Sequence, residues 1–324
     1  MPTLAPLALD GHCILATFLG DIPFFALADG TIHRLDHGHK QDTATDGLLC
    51  AIRDPGSDRM LAGGEDGRVV VVSSEGTVEK IADMGGKWIN CLAAGPRGSV
   101  AFSSGRQARV VDTSGSETEL AEQRTIEALA FAPKGMRLAC ARYNGVSLHW
   151  IGTTAPPVDL EWKGAHNGVT FSPDGKYVVT TMQENALHGW RIGDGKHMRM
   201  TGYPAKVKSL SWSVKGKWLA SSGAQAAIVW PFSGKDGPMG KAPLELGTRG
   251  DSMVTSVACH PADEVVAIGY ADGMILAVRF GDRKEAVLRR GGTSAISSMA
   301  WGKTGVQLVF GSETGECGVV DLSG

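Results

Sequence analysis

The densest group of metal-ligating side chains in this 324-residue chain is His33-Arg34-Leu35-Asp36-His37-Gly38-His39. It holds three imidazoles and a carboxylate, donors that suit zinc or nickel. His33 can share a face with His37 and His39 only if the chain turns at His37-Gly38. The spacing matches no established metal site, and a solvated polar loop is the competing reading. The other histidines, His12, His149, His166, His188, His197 and His260, are scattered. No G-x-S-x-G elbow and no G-x-x-x-x-G-K-[ST] loop accompanies them, so the residues give no basis for acyl or phosphoryl transfer. The expectation is a protein that is not an enzyme and needs no cofactor, with zinc or nickel at His33, His37 and His39 as the alternative.

Lys206, Lys208, Lys215 and Lys217 lie beside Trp212 and Trp218. The first two precede a predicted strand and the last two follow it, so they point to opposite ends. A nucleic-acid groove needs one continuous basic face with stacking aromatics. The formal charge of −2 gives no general attraction to nucleic acid or anionic lipid. No apolar run is long enough to span a bilayer. The segment MPTLAPLALDGHC has no basic stretch ahead of its apolar residues, which argues against a secretory signal. The six cysteines form no C-x-x-C pair and read as small buried apolar residues in a reducing compartment. A cytoplasmic, monomeric protein that binds neither nucleic acid nor membrane is expected.

The elements that must position any site come from a repeat. Residues 168–190, GVTFSPDGKYVVTTMQENALHGW, hold three apolar runs separated by Pro-Asp-Gly and Gln-Glu-Asn turns. Such runs predict antiparallel strands joined by tight hairpins. The first strand and its turn recur as LLCAIRDPGS, INCLAAGPRG, IEALAFAPKG, NGVTFSPDG, VKSLSWSVKG, VTSVACHPAD and ISSMAWGKTG, with a weaker copy, CILATFLGD, at Cys13. The spacing is about 40 residues, typical of one supersecondary unit repeated around an axis. Trp150, Trp190 and Trp230 keep the same period at the ends of third strands. Eight repeats result, near residues 12–46, 47–84, 86–122, 124–163, 164–201, 205–249, 251–290 and 293–324. The last lacks a fourth strand, which Thr3–Leu9 can supply.

This pattern resembles the WD40-repeat β-propellers over essentially the whole chain. The resemblance rests on Phe171-Ser-Pro-Asp-Gly175, the Asp-Gly hairpins and the three period-keeping tryptophans. No such Trp is followed by Asp, and the family's Gly-His pair is blurred in Gly164-Ala165-His166. The family's Asp-His-Ser-Trp network is therefore expected to be absent or partial. The resemblance implies an all-β propeller in a single domain, 1–324, closed by pairing the N-terminal strand with the C-terminal blade. Eight four-stranded blades are expected; seven is the alternative if repeat one or three is irregular. It also implies a scaffold that binds a protein or peptide partner through rim loops. Those loops carry Trp88, Arg106, Arg142, Tyr143, Gln183, Gln225, Met253 and Tyr270. Packing between blades is the competing role for Trp88 and Tyr270. Arg142-Tyr143, in a hairpin turn, is the leading pair.

Overall fold

The structure is a computed structural model that describes residues 2–323. Its regular elements are strands apart from one 3-10 turn, Pro96–Gly98. The strands follow their side chains. Tyr177–Met182, YVVTTM, is β-branched and aromatic and buried throughout, as a strand covered on both faces requires. Glu117–Ala121 alternates exposed and half-buried residues, the pattern of an outer strand. The Asp-Gly hairpins share one device. The carboxylates of Asp29, Asp66 and Asp272 accept from the backbone N–H two residues on, at 2.9, 2.9 and 3.2 Å. Gly30 illustrates why glycine follows: φ is +93°, and a Cβ there would lie 1.8 Å from the Thr45 carbonyl oxygen.

Among the described residues, the strand pairs whose register is defined are antiparallel. Among the described residues the strands form seven hydrogen-bonded sheets. Six have four strands and cover residues 13–43, 48–83, 91–121, 210–246, 254–289 and 296–321, the last joined by Thr3–Ala8. The N-terminal strand lies against Glu316–Asp321 with Thr3 opposite Asp321 and Ala8 opposite Glu316, so the expected pairing of the two ends of the chain is present.

The expectation of eight separate blades is corrected to seven sheets. Repeats one and three, on which the count seemed to turn, each form a four-stranded sheet of their own. The merger lies elsewhere. Repeats four and five share a six-stranded sheet because Val158–Phe171 runs unbroken through both. Its beginning pairs with residues 145–148, and its end pairs with Tyr177–Met182. Gly164, at φ +124°, and a register shift between His166 and Gly168 mark the passage. Arg137–Trp150 is also one 14-residue strand. Asn144 and Gly145, at φ 69° and 133°, reverse it, and the Ile151 N–H reaches the Met136 carbonyl at 2.8 Å.

Internal packing divides the chain into two compact bodies. One comprises residues up to 28, 33–40 and from 202 onward; the other comprises 29–32 and 41–201. Within the first, Tyr270, Phe280, Val278 and Leu246 belong to one cluster and Phe310, Leu308 and Ile296 to another. Within the second, Trp190, Phe171, Val178 and Leu148 pack together. The three phase-marking tryptophans fare differently. Trp190 is 2% exposed, Trp230 is buried, and Trp150 is 38% exposed beneath the guanidinium of Arg137, 4.1 Å from the ring centre. Keeping the repeat period therefore does not make all three tryptophans core residues.

Neighbouring first strands are also stitched by side chains. Thr255 and Ser297 donate to the carbonyls of Ile296 and Cys13 at 2.7 and 2.6 Å. The thiols of Cys50 and Cys91 donate to those of Ile89 and Ile126 at 3.3 and 3.7 Å. All six cysteines are free. Burial pushes the Cys91 thiol up to about 11 and the Cys259 thiol up to about 12, so these sulfurs stay protonated near neutrality.

Candidate functional site

The structure draws two of the three clustered histidines together. The chain turns at His37-Gly38 as the sequence requires, with φ values of 48° and 135°. His33 Nδ1 then lies 2.9 Å from His39 Nε2, with the rings stacked. The same turn sends His37 outward: its side chain is 98% exposed and lies 3.6 Å from Asp36. A three-imidazole site is not assembled.

The rim residues separate into classes. In the body holding residues 41–201, Trp88 is 56% exposed and Tyr143 is 48% exposed; Arg106 and Gln183 are also exposed. In the other body, Gln225 is exposed, its amide donating to the Gly250 carbonyl at 2.9 Å, and Met253 is half-buried. Tyr270 is fully buried. Its hydroxyl donates to the Gly247 carbonyl, and Arg249 stacks 5.2 Å from its ring centre. Tyr270 thus takes the packing role that competes with partner contact at this position.

Arg142 also departs from an open rim side chain. Its Nε is 3.2 Å from Glu122 Oε2, and its NH2 nitrogen is 2.6 Å from Asp159. Each of its ligands arrives from a different place in the fold. Glu122 follows the strand Glu117–Ala121, and its N–H is fixed to the Arg106 carbonyl at 2.9 Å. Cys140 and Arg142 alternate on one face of the first half of Arg137–Trp150, and Ser147 and His149 alternate on the second half. The Asn144-Gly145 reversal lays those halves side by side. His149 Nε2 then sits 2.6 Å from Glu122 Oε1. The Ser147 hydroxyl lies 3.1 Å from Glu122 Oε2 and 2.7 Å from Asp159, and it accepts from Arg142 Nε at 2.9 Å.

A cavity of about 330 Å³ opens over this group, bordered by Gln123, Tyr143, Asn144 and Pro157. A second, of about 480 Å³, continues past Tyr143 to Trp162 and Lys163. Chemically the group is a fixed carboxylate–guanidinium–imidazole set with one exposed phenol at its lip. Ser147 bonds to carboxylates and arginine while His149 bonds to Glu122, so the pair is not arranged as nucleophile and base. Sequence reasoning found Arg142 and Tyr143 but missed Glu122, His149 and Asp159. Only the alternation Arg142, Ser147, His149 around Asn144-Gly145 hinted at a shared polar face.

A cavity of about 570 Å³ lies in the other body between the first strands of repeats six to eight. Its walls include the hydroxyl-bearing residues Ser209, Ser211, Thr255 and Ser297. Ser211 accepts from the Cys259 N–H at 2.9 Å, and Ser209 accepts from the Val257 N–H at 3.0 Å. These hydroxyls hold strands together; His12, Lys208, Cys259 and Glu313 also line the cavity.

The expected polar network is present in parts. In repeat five, His166 Nδ1 lies 2.7 Å from the Thr180 hydroxyl, which donates to the His188 carbonyl at 3.1 Å. In repeat six a tyrosine takes the histidine's place. Trp230 Nε1 donates to the Tyr203 hydroxyl at 2.6 Å, and that hydroxyl is 2.7 Å from Ser221 Oγ.

Comparisons with known proteins agree with these features. The family model "WD domain, G-beta repeat" matches residues 196–230, the segment that holds the Tyr203–Ser221–Trp230 network. A 96-residue stretch is 32% identical to WD repeat-containing protein 1-B of Xenopus laevis; it covers 29% of this chain and 15% of that protein. Two solved structures align over nearly the whole chain. The computationally designed Ika8 protein matches with TM-score 0.78 and 20% identity over 97% of both chains. The C-terminal WD40 domain of Sif2 matches with TM-score 0.77 and 12% identity over 99% of both.

Proposed function

We propose that this chain, which matches the WD-repeat family model over residues 196–230 and shares its fold with a solved WD40 domain, is a non-catalytic interaction scaffold of one domain, whose rim loops bind a protein or peptide partner. The observation that carries this reading is the exposure of two large aromatic side chains, Trp88 and Tyr143, on turns of one body. Tryptophan and tyrosine are costly to leave in water and are enriched among residues that dominate binding energy. Tyr143 borders a pocket whose carboxylates and guanidinium are already oriented by one another. Such a pocket offers charged hydrogen-bonding groups that need no reordering when a peptide arrives. Arg106 and Gln183 add polar contacts on neighbouring turns, and Gln225 and Met253 do so in the other body. Arg142 serves this surface by holding Glu122 and Asp159 in place.

The protein acts as a monomer in the cytoplasm in this reading. Among the described residues no helix is long and apolar enough to cross a membrane. The test is affinity capture followed by calorimetry on whatever single partner is recovered. Trp88→Ala and Tyr143→Ala should each weaken that partner's binding by about tenfold or more with folding unchanged. Unaltered affinity in the double variant would show that the partner docks elsewhere.

A further inference from the structure

The charged pocket of repeat four holds a feature that peptide recognition does not use. Among the described residues, only Glu122, Cys140 and His149 bring three metal-ligating atoms within 4.8 Å of one another. We propose that these three side chains form a site for a borderline-soft divalent cation, with Zn2+ as the best-fitting ion and an open fourth position facing the cavity.

The donor set argues for that class. Thiolate, imidazole and carboxylate together suit zinc, whereas magnesium and calcium take oxygen alone. In a tetrahedral zinc site, ligand atoms stand roughly 3.3–3.8 Å apart. Here the closest separation, His149 Nε2 to Glu122 Oε1, is 2.6 Å, and none exceeds 4.8 Å. A shift of about 1 Å makes room for the ion where that hydrogen bond now lies.

The two oxygens of Glu122 divide the work. Oε1 faces His149. Oε2 is held by Arg142 and Ser147, at 3.2 and 3.1 Å. Arg142 therefore need not be displaced. It orients the ligating carboxylate from behind, as outer partners of metal ligands do. Asp159, 2.6 Å from Arg142, offsets the guanidinium charge. Glu122 and Asp159 against Arg142 leave one negative charge in excess. A Cys140 thiolate adds a second, and a divalent ion neutralises both. Cys140 and His149 sit on paired halves of one strand, so the sheet itself fixes two of the three ligands. The cavity of about 330 Å³ above them admits water or an incoming side chain to the fourth position.

Binding forms a metal–sulfur bond and releases the thiol proton to solvent; no oxidant or reductant takes part. The experiment is a Co2+ titration of the chelator-treated full chain, followed by absorbance, with Zn2+ added as competitor. The expected result is one equivalent bound, with the visible bands of tetrahedral Co2+ and a near-ultraviolet thiolate-to-cobalt band, both abolished by equimolar Zn2+. Cys140→Ser should remove the thiolate band, and His149→Gln should weaken binding by about 100-fold or more. Ser147→Ala, which loosens Glu122 without removing a ligand, should weaken it by about tenfold. Cobalt that binds without a thiolate band overturns the proposal. So does a thiolate band that survives Cys140→Ser, or, should that variant not fold, one that survives His149→Gln at unchanged affinity. Loss of binding in His33→Ala/His39→Ala with wild-type behaviour in His149→Gln would place the ion at the other histidines and also overturn it.

Discussion

Repeats four and six put different chemistry at the same place in their sheets. In each, a residue from the segment before the first strand meets side chains of the second and third strands. In repeat six these are Tyr203, Ser221 and Trp230, all buried, with the tyrosine hydroxyl bonded to both the serine and the indole. Burial pushes Tyr203 up to about 12, so it remains a neutral phenol. In repeat four they are Glu122, Arg142, Ser147 and His149, built round a carboxylate–guanidinium pair and lining a cavity. The neutral set can be sealed because each buried polar atom has a partner. The charged set stays at an opening because burying it fully would cost more than its ion pairs return. One structural position is thus a sealed neutral network in repeat six and an open ion-paired one in repeat four.

The largest effect should come from the packing side of this contrast. Trp190→Ala should cost about 3–5 kcal/mol in urea unfolding, whereas Trp150→Ala, one residue beyond the matching position and 38% exposed, should cost under about 1 kcal/mol. Equal losses would mean that exposure does not decide what the third-strand tryptophan contributes.

Glu122→Gln comes next. It strips the shared charge from between Arg142 and His149, whose side chains are mostly covered, and should cost about 3 kcal/mol. A loss below about 0.5 kcal/mol would show that the network behaves as a solvated surface group.

Acid sensitivity should trace to repeat five. His188 is buried, stacked 4.1 Å from the Trp162 ring centre, and neither ring nitrogen has a hydrogen-bond partner. Burial, aided by the neighbouring His197 and His166, pushes it down to about 3 from an ordinary 6.5. Between those values the unfolded chain takes up the proton and the folded chain does not. Stability should therefore fall as pH drops from about 6.5 towards 3, by up to about 1.4 kcal/mol per unit. In His188→Leu that slope should flatten; an unchanged slope would assign the acid sensitivity to other groups.

Tyr203→Phe should cost about 1 kcal/mol, since it leaves the Trp230 N–H and Ser221 hydroxyl each short of a partner. Smallest of all, Trp88→Ala should leave the melting temperature unchanged within error while reducing partner binding. A marked loss of stability would return Trp88 to a packing role.

The sequence alone determined the strands, their hairpins and the pairing of the chain's two ends. Those follow from local facts: β-branched runs between Asp-Gly and Pro-Gly turns, and a repeat period that leaves one strand missing at the C-terminal end and one spare at the start. It also marked Trp88 and Tyr143, because an aromatic residue in a turn has little of its own segment to pack against. The tertiary structure decided what depends on neighbours distant in sequence. Trp150 and Trp190 keep one period in the sequence, yet the strand register puts His149 where Trp190 stands and turns Trp150 to the open face. Tyr270 looked like a rim residue, but the backbone at Gly247 and the guanidinium of Arg249 enclose it. Repeats four and five merged because no turn interrupts Val158–Phe171, and continuity of a strand is settled by pairing on both sides. Glu122 and His149 stand 27 residues apart. Their meeting requires the end of one sheet to pack on the hairpin of the next, a distance no periodicity in the sequence encodes.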